Sequence, residues 1–299
     1  MTPTLVRHHR HADPYADSSA DSSAPVDAGT RARDWAEIQE RMLAPLYEAV
    51  YDRLEVGAAT RLLSLGCGSG LALLIAASRG ARVTGVDTDR ERLALARERL
   101  SPDPGHGAPP GRPAAERARL LVGGPSAAGG ADEAEGSYNL LTSFDPIGCA
   151  AGDSEGLTPA LESAVPLAAR GATVVLTGWG PPERCATAAV LRVAARLADP
   201  SPTPRSGGWR AARRDDLEDV ASRAGLRPDG SGRVSCPFGY ADLKSALRGL
   251  LSTGLFDAAL RATDRSRVEK EVAEALHPYQ RPDGTVWMPN VFRYLVCVA

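Results

Sequence analysis

A chain of 299 residues, 43% hydrophobic and 24% charged, can form one large α/β domain with additions or two small domains. Its formal net charge of −2 gives no broad basic field for a nucleic-acid backbone, which excludes a dedicated DNA or RNA binder. No apolar run approaches the ~20 residues of a membrane helix, and the polar N-terminus lacks a signal-peptide core, so a cytoplasmic chain with no membrane partner is expected.

Residues 1–30 hold His8, His9 and His11 and little that can be buried, and are expected as a disordered tail. Those histidines have no fixed geometry, so no metal site is assigned to them. From Trp35 to Leu54, Trp35, Ile38, Met42, Leu43, Leu46, Val50 and Leu54 recur at helical spacing, which predicts an amphipathic helix bent or split at Pro45. Arg61–Leu65 reads as a buried strand ending in glycines, Leu71–Ser78 as a helix, Arg82–Val86 as a strand closed by Asp87, and Arg90–Leu100 as a helix. The Pro- and Gly-rich residues 101–117, with His106, read as a surface insertion. A strand at Ala118–Val122, a loose stretch at Gly123–Gly136, a strand at Tyr138–Phe144, a helix at Leu157–Leu167 and a strand at Ala172–Thr177 follow.

Helices are then expected at Thr187–Leu197 and Asp215–Ala224, and a strand near Arg233–Cys236. Three more helices, at Tyr240–Leu251, Leu255–Ala262 and Arg265–Leu276, precede a final strand at Val291–Ala299. Strands alternating with helices predict a Rossmann-like, mostly parallel sheet with helices on both faces. One domain over residues 31–299 is expected, with residues 240–277 as a lid-like helical insertion before the last strand. The five cysteines, Cys67, Cys149, Cys185, Cys236 and Cys297, form no C-x-x-C pair, so reduced and buried thiols are expected.

Chemistry concentrates at Leu65-Gly66-Cys67-Gly68-Ser69-Gly70, a strand-to-helix turn whose glycines permit a tight turn and close approach of a ligand to the backbone. Asp87 lies 17 positions past Gly70, where a carboxylate can accept hydrogen bonds from both ribose hydroxyls. Dinucleotide enzymes share this arrangement, but their G-x-G-x-x-G fingerprint needs glycine at position 71, which is Leu71. No Gly-Lys-Ser/Thr follows, so the nucleotide P-loop is excluded. The observed G-x-G-x-G spacing favours S-adenosyl-L-methionine over NAD.

On LLSLGCGSG, VTGVDTD, the Tyr138–Phe144 strand, TVVLTGWG and VFRYLVCVA, the chain resembles class I S-adenosylmethionine-dependent methyltransferases, specifically small-molecule enzymes related to the quinone-biosynthesis C-methyltransferases. The resemblance implies that Gly66, Gly68 and Gly70 line the methionine portion of the cofactor and that Asp87 holds the ribose. It implies further that Thr88 and Asp89 flank the adenine, and that Ser143, Phe144 and Asp145 face the transferable methyl group. Two positions depart from the pattern. Ser64 stands where an acidic residue would meet the methionine ammonium, and Gly123-Gly124-Pro125 stands where an Asp would meet the adenine, with Asp132 the nearest candidate. Losing one charge-assisted hydrogen bond costs about 1.5–3 kcal/mol.

Trp35, Tyr47 and Tyr51 are candidates to cover the cofactor pocket, and Trp179 to line a substrate pocket. His277 reads as a helix C-cap. Methyl transfer from a sulfonium depends on positioning, and needs a base only for a protonated acceptor, so no catalytic residue is assigned. The expectation is a small-molecule methyltransferase acting on an aromatic or polyketide-like metabolite in bacterial secondary metabolism. The alternative, supported by Ser64 and Gly124, is a catalytically silent relative with a binding or regulatory role.

Overall fold

The computed structural model describes residues 27–101, 118–129, 137–150, 152–198 and 210–299. The expectations placed on residues 1–26, on His106 and most of the 101–117 insertion, and on Asp132 lie outside the described residues. The first helix, α1 (Ala28–Asp34), begins inside the segment expected as tail because the Asp27 carboxylate accepts from the Thr30 N–H at 3.2 Å and caps it. The chain then loosens into a π turn at Trp35–Gln39 and tightens into a 3-10 turn at Glu40–Leu43. α2 (Ala44–Arg53) follows, with Pro45 in its first turn, where a missing N–H costs nothing. The split at Pro45 is as the pattern implies. The π turn is not.

Next come β1 (Arg61–Leu65), α3 (Leu71–Ser78), β2 (Arg82–Asp87), α4 (Arg90–Leu100) and β3 (Ala118–Val122). They are followed by β4 (Tyr138–Ile147), α5 (Asp153–Ala164), β5 (Ala168–Trp179), α6 (Thr187–Ala198), α7 (Asp216–Arg223) and β6 (Arg227–Ser235). The last third holds β7 (Phe238–Tyr240), α8 (Leu243–Leu251), α9 (Asp257–Ala262), α10 (Arg265–Leu276), β8 (Val286–Met288) and β9 (Val291–Val298). Seven strands form one sheet in the order β3-β2-β1-β4-β5-β9-β6, and β7 pairs with β8 in a separate two-stranded sheet. β1 to β5 pair in parallel, whereas β9 runs antiparallel to both β5 and β6. This is the Rossmann-like, mostly parallel sheet with helices that the alternation predicts.

Successive residues of each central strand feed opposite faces of the sheet, and both faces are covered. On β1, Leu62 packs with Leu46, Val50 and Leu73, while Leu63 packs with Leu161, Leu176 and Leu217, all fully or almost fully buried. Burying each such side chain stabilises the fold by roughly 1.5–3 kcal/mol, so the two layers together fix the strand register.

Several boundaries correct the expectations: α5 begins at Asp153 rather than Leu157, and β5 spans Ala168–Trp179 rather than Ala172–Thr177. β6 begins at Arg227 rather than near Arg233, although Pro228, Gly230 and Gly232 read as turn residues. It is the last strand of its sheet, where Pro is tolerated, and a Cβ at Gly232 would overlap the Tyr294 ring on β9. Tyr240 belongs to β7 rather than to a helix, because Asp242 caps α8 by accepting from the Ser245 N–H at 2.6 Å. β4 continues past Phe144 to Ile147 through an irregularity: Ser143 pairs with Leu176 and Ile147 with Gly178, so residues 144–146 face a single residue of β5. Such a bulge re-aims side chains at the end of a strand.

Leu250 of α8, Phe256 just before α9, and Val268, Val272 and Leu276 of α10 belong to the core face shared with α2 and β9. Among the described residues, no helix is long and apolar enough to cross a membrane.

All five cysteines are buried. Burial pushes the Cys67 and Cys236 thiols up to about 12 and Cys297 up to about 11. At pH 8 a thiol with its pKa near 11 is only about 0.1% thiolate, the reactive form. The native protein should therefore resist iodoacetamide at pH 8, and all five cysteines should be alkylated once guanidinium unfolds it, as mass spectrometry would read. Rapid modification of the folded protein would contradict this burial.

Candidate functional site

The strand order reverses between β1 and β4, and open α/β sheets present their ligand crevice at such a point, beyond the carboxyl ends of the strands. A cleft of about 400 Å³ lies there, within the usual range for small-molecule pockets. Its floor is the β1–α3 turn. The Gly66 and Cys67 N–H groups both donate to the Val86 carbonyl, at 2.9 and 3.1 Å, and the Gly70 N–H donates to the Cys67 carbonyl at 3.0 Å. Gly66, Gly68 and Gly70 have φ of 65°, 57° and 80°, the left-handed region that a side chain makes costly.

The three glycines face different neighbours. A Cβ at Gly66 would meet no atom within 4 Å, so that face of the loop is open to the cleft. At Gly68 it would come within 3.1 Å of Glu40 Oε1 and 3.3 Å of Trp35 Nε1. At Gly70 it would strike Ala96 of α4 at 2.9 Å. Gly66 and Gly68 line the cleft, whereas Gly70 lies behind it and lets α3 pack against α4.

Asp87 ends β2 on the cleft wall with Thr88 and Asp89 beside it. Its Oδ2 accepts from the Gly68 N–H and its Oδ1 from the Asp89 N–H, each at 2.8 Å. These two bonds fix the carboxylate and leave it further lone pairs. Asp89 caps α4 by accepting from the N–H groups of Glu91 and Arg92, both at 3.0 Å. Gly124 also borders the cleft, with open space where its Cβ would be.

Phe144 and Asp145, displaced by the β4 bulge, reach the cleft. Ser143 does not. It is buried in the strand ladder, its carbonyl accepting from Thr177 Oγ1 at 2.9 Å. Tyr47 and Tyr51 pack against the Phe144 ring at 4.8 and 5.6 Å between centroids, and Tyr47 also lines the cleft. Burial, then the nearby Glu40 carboxylate, pushes the Tyr47 hydroxyl well above its ordinary pKa, so it stays protonated. The Asp145 carboxyl is raised by the protein around it, with Arg92 opposing and Asp87 and Asp153 adding. Asp145 is nonetheless exposed at the cleft, and water there moderates the shift. Trp179 lies away from the cleft, beside Phe292 and Phe238, and borders a smaller cavity with Cys149, Cys185 and Arg210. Neither cavity is lined by a residue of 240–277.

Glu40 is the site residue that sequence reasoning missed. Only 2% exposed, it lines the cleft. Its Oε2 accepts from Ser69 Oγ and from Arg99 Nη1, the latter at 2.6 Å. The preceding π turn explains its direction. Residues five apart on an α-helix point about 140° away from each other, whereas the Glu40 N–H here bonds the Trp35 carbonyl and brings the two residues to the same side. The Arg92 guanidinium stacks 4.3 Å from the Trp35 ring, donates to the Ser252 carbonyl at 3.0 Å, and so braces this cover against the end of α8.

Residues 63–108, covering the glycine turn, β2 and α4, match the family described as "Methyltransferase domain". No curated protein matches the chain significantly. A protein from Bacillus halodurans assigned as a methyltransferase has a similar structure, with a TM-score of 0.51 at 12% identity over 84% of this chain and 97% of that one. YjhP from E. coli gives a TM-score of 0.49 at 17% identity, over 89% and 98% of the two chains. Geranyl diphosphate C-methyltransferase from Streptomyces coelicolor A3(2) gives 0.45 at 15% identity, over 93% and 89%. The chain has the fold of the class I S-adenosylmethionine-dependent methyltransferases.

Gly70 combines a left-handed φ with a close neighbour. Gly70→Ala should destabilise the protein by about 2–4 kcal/mol, adding backbone strain to overpacking against Ala96. Urea denaturation would measure this. A cost below about 1 kcal/mol would mean that α4 yields easily at this contact.

Proposed function

We propose that the chain is an S-adenosylmethionine-dependent methyltransferase acting on a small molecule. The observation that carries this reading is the cleft at the β1/β4 reversal, with the glycine turn as its floor and a fixed carboxylate, Asp87, at the end of β2. Asp87 has lone pairs left for ribose hydroxyls, Thr88 and Asp89 stand beside it for the adenine, and Gly66 leaves the backbone open to the methionine portion. Gly68 and Phe144 complete the cofactor set. Gly70 and Ser143 support it from behind.

When bound, the cofactor supplies an electrophilic methyl group on a sulfonium. The residues of this chain bind it, orient it and exclude water. Trp35 and Tyr47, from the helices before β1, would close the cleft, and α8 would brace them through Arg92 and through the Arg248–Asp34 ion pair. In this arrangement the lid-like role of residues 240–277 is indirect. A small acceptor fits the wall chemistry, because Glu40, Asp87, Asp89 and Asp145 border the cleft against the single guanidinium of Arg92, which disfavours a polyanion. We place that acceptor among aromatic or polyketide-like metabolites of secondary metabolism.

Titration calorimetry tests the reading. Adenosylhomocysteine should bind with micromolar or weaker affinity and NAD should not bind. Asp87→Ala should weaken adenosylhomocysteine by about 1.5–3 kcal/mol, because the ribose hydroxyls lose a charged acceptor. Binding of NAD instead, or unchanged affinity in a folded Asp87→Ala protein, would refute it. Cofactor binding without methyl transfer to any acceptor from a metabolite panel would favour the silent, ligand-sensing alternative, for which the uncharged Ser64 is the supporting observation.

A further inference from the structure

Ser64 lines the cleft two residues before Gly66 and carries no charge, at the position where the resembled enzymes place an acid. A carboxylate reaches the same glycine turn from elsewhere in the chain. We propose that Glu40 takes over that acid's part and receives the α-ammonium of the cofactor's methionine portion on its Oε1. This inference rests on the proposed function.

The two oxygens of Glu40 are unequally used. Oε2 is occupied by Ser69 Oγ and by Arg99, whereas Oε1 has only the Leu71 N–H at 3.4 Å, a long contact. A carboxylate oxygen with spare lone pairs matches an ammonium, which offers three donors and no acceptor. Oε1 also rests over Gly68, 3.1 Å from where a Cβ would be, on the turn that the methionine portion would follow. A second observation points to a ligand at the same place. The Trp35 indole N–H lies 3.3 Å from that Cβ position, is buried, and has no hydrogen-bond partner. Buried donors without partners are rare in folded proteins, and the α-carboxylate next to the ammonium is an acceptor of the kind this N–H lacks. Arg99 already accounts for fastening Glu40 to the turn, so the free oxygen is not needed for that.

The experiment measures binding of adenosylhomocysteine and of its deamino analogue to the full chain. Glu40→Gln should weaken adenosylhomocysteine by about ten- to a hundredfold, the usual loss for a charge-assisted bond. The deamino analogue should change by no more than about twofold. Adding Ser64→Asp to Glu40→Gln should recover at least about fivefold for adenosylhomocysteine alone, because position 64 also lines the cleft and a carboxylate there restores a charge-assisted bond to the ammonium. Equal losses for both ligands would mean that Glu40 only holds the cover on the turn, and no loss would mean that Oε1 stays out of contact; either result overturns the assignment. If Glu40→Gln does not fold, Trp35→Phe carries the test. It should weaken adenosylhomocysteine by about threefold or more relative to the decarboxylated analogue, within the range for one hydrogen bond, and an equal effect on both overturns it. Wild-type protein that binds neither ligand would refute the proposed function itself. Wild-type protein that binds adenosylhomocysteine and its deamino analogue equally well would refute only the role of Glu40.

Discussion

Everything at the site follows from one backbone constraint: the chain must leave β1 and enter α3 within Gly66–Gly70. Three of those residues hold a left-handed φ, and the Val86 carbonyl accepts two N–H groups from the turn. That pairing ties the turn to the neighbouring strand, and the Gly68 N–H bond to Asp87 ties it to that strand's end. The same geometry that satisfies the turn therefore fixes a carboxylate at the mouth of the cleft. A side chain at Gly66 would project into open space, whereas one at Gly68 would press on the N-terminal cover and one at Gly70 on α4.

The N-terminal helices are more than packing on this turn. Burying a charge costs several kcal/mol unless it is paired and hydrogen-bonded, and Glu40 is both, through Arg99 of α4 and Ser69 of the turn. Arg99 also donates to the Ser69 carbonyl at 2.9 Å, so cover, turn and α4 meet at one guanidinium. Further out, Tyr240 Oη donates to Gln39 Oε1 at 2.9 Å and the Arg248 guanidinium pairs with Asp34. The cover is thus held from the cleft side by α4 and from the outer side by β7 and α8. Any motion that opens the cleft at Trp35 has to break or stretch polar contacts on both sides.

Much of this was legible in the sequence, for identifiable reasons. β1, α3, α4 and α10 fall where the apolar patterns put them, because there the local pattern and the tertiary burial agree. In the structure Asp89 and Asp264 reinforce α4 and α10 by accepting from backbone N–H groups of the first turn. Where local and tertiary preferences part, the reading failed. The glycines of β6 look like turn residues, but Gly230 makes room for Arg53 of α2 and Gly232 for Tyr294 of β9, demands set by residues distant in sequence. Glu40 looks like a solvent-facing residue at a helical spacing of 3.6. The π turn that rotates it inward leaves no mark in that periodicity, and its partner Arg99 lies 59 positions away.

Charge decides what the cleft can receive. Of the four carboxylates on the cleft wall, Glu40 is matched by Arg99, and Asp89 by its bonds to the α4 N-terminus with Arg92 close by at 3.4 Å. Asp87 is held by two backbone N–H groups, which orient it but bring no formal positive charge. Asp145 faces the same space, and its carboxyl is raised first by burial, with repulsion from the Asp87 carboxylate adding. A cationic ligand relieves that repulsion and an anionic one adds to it. The cleft wall therefore favours a cationic ligand over an anionic one, a preference set by residues fixed before any ligand arrives.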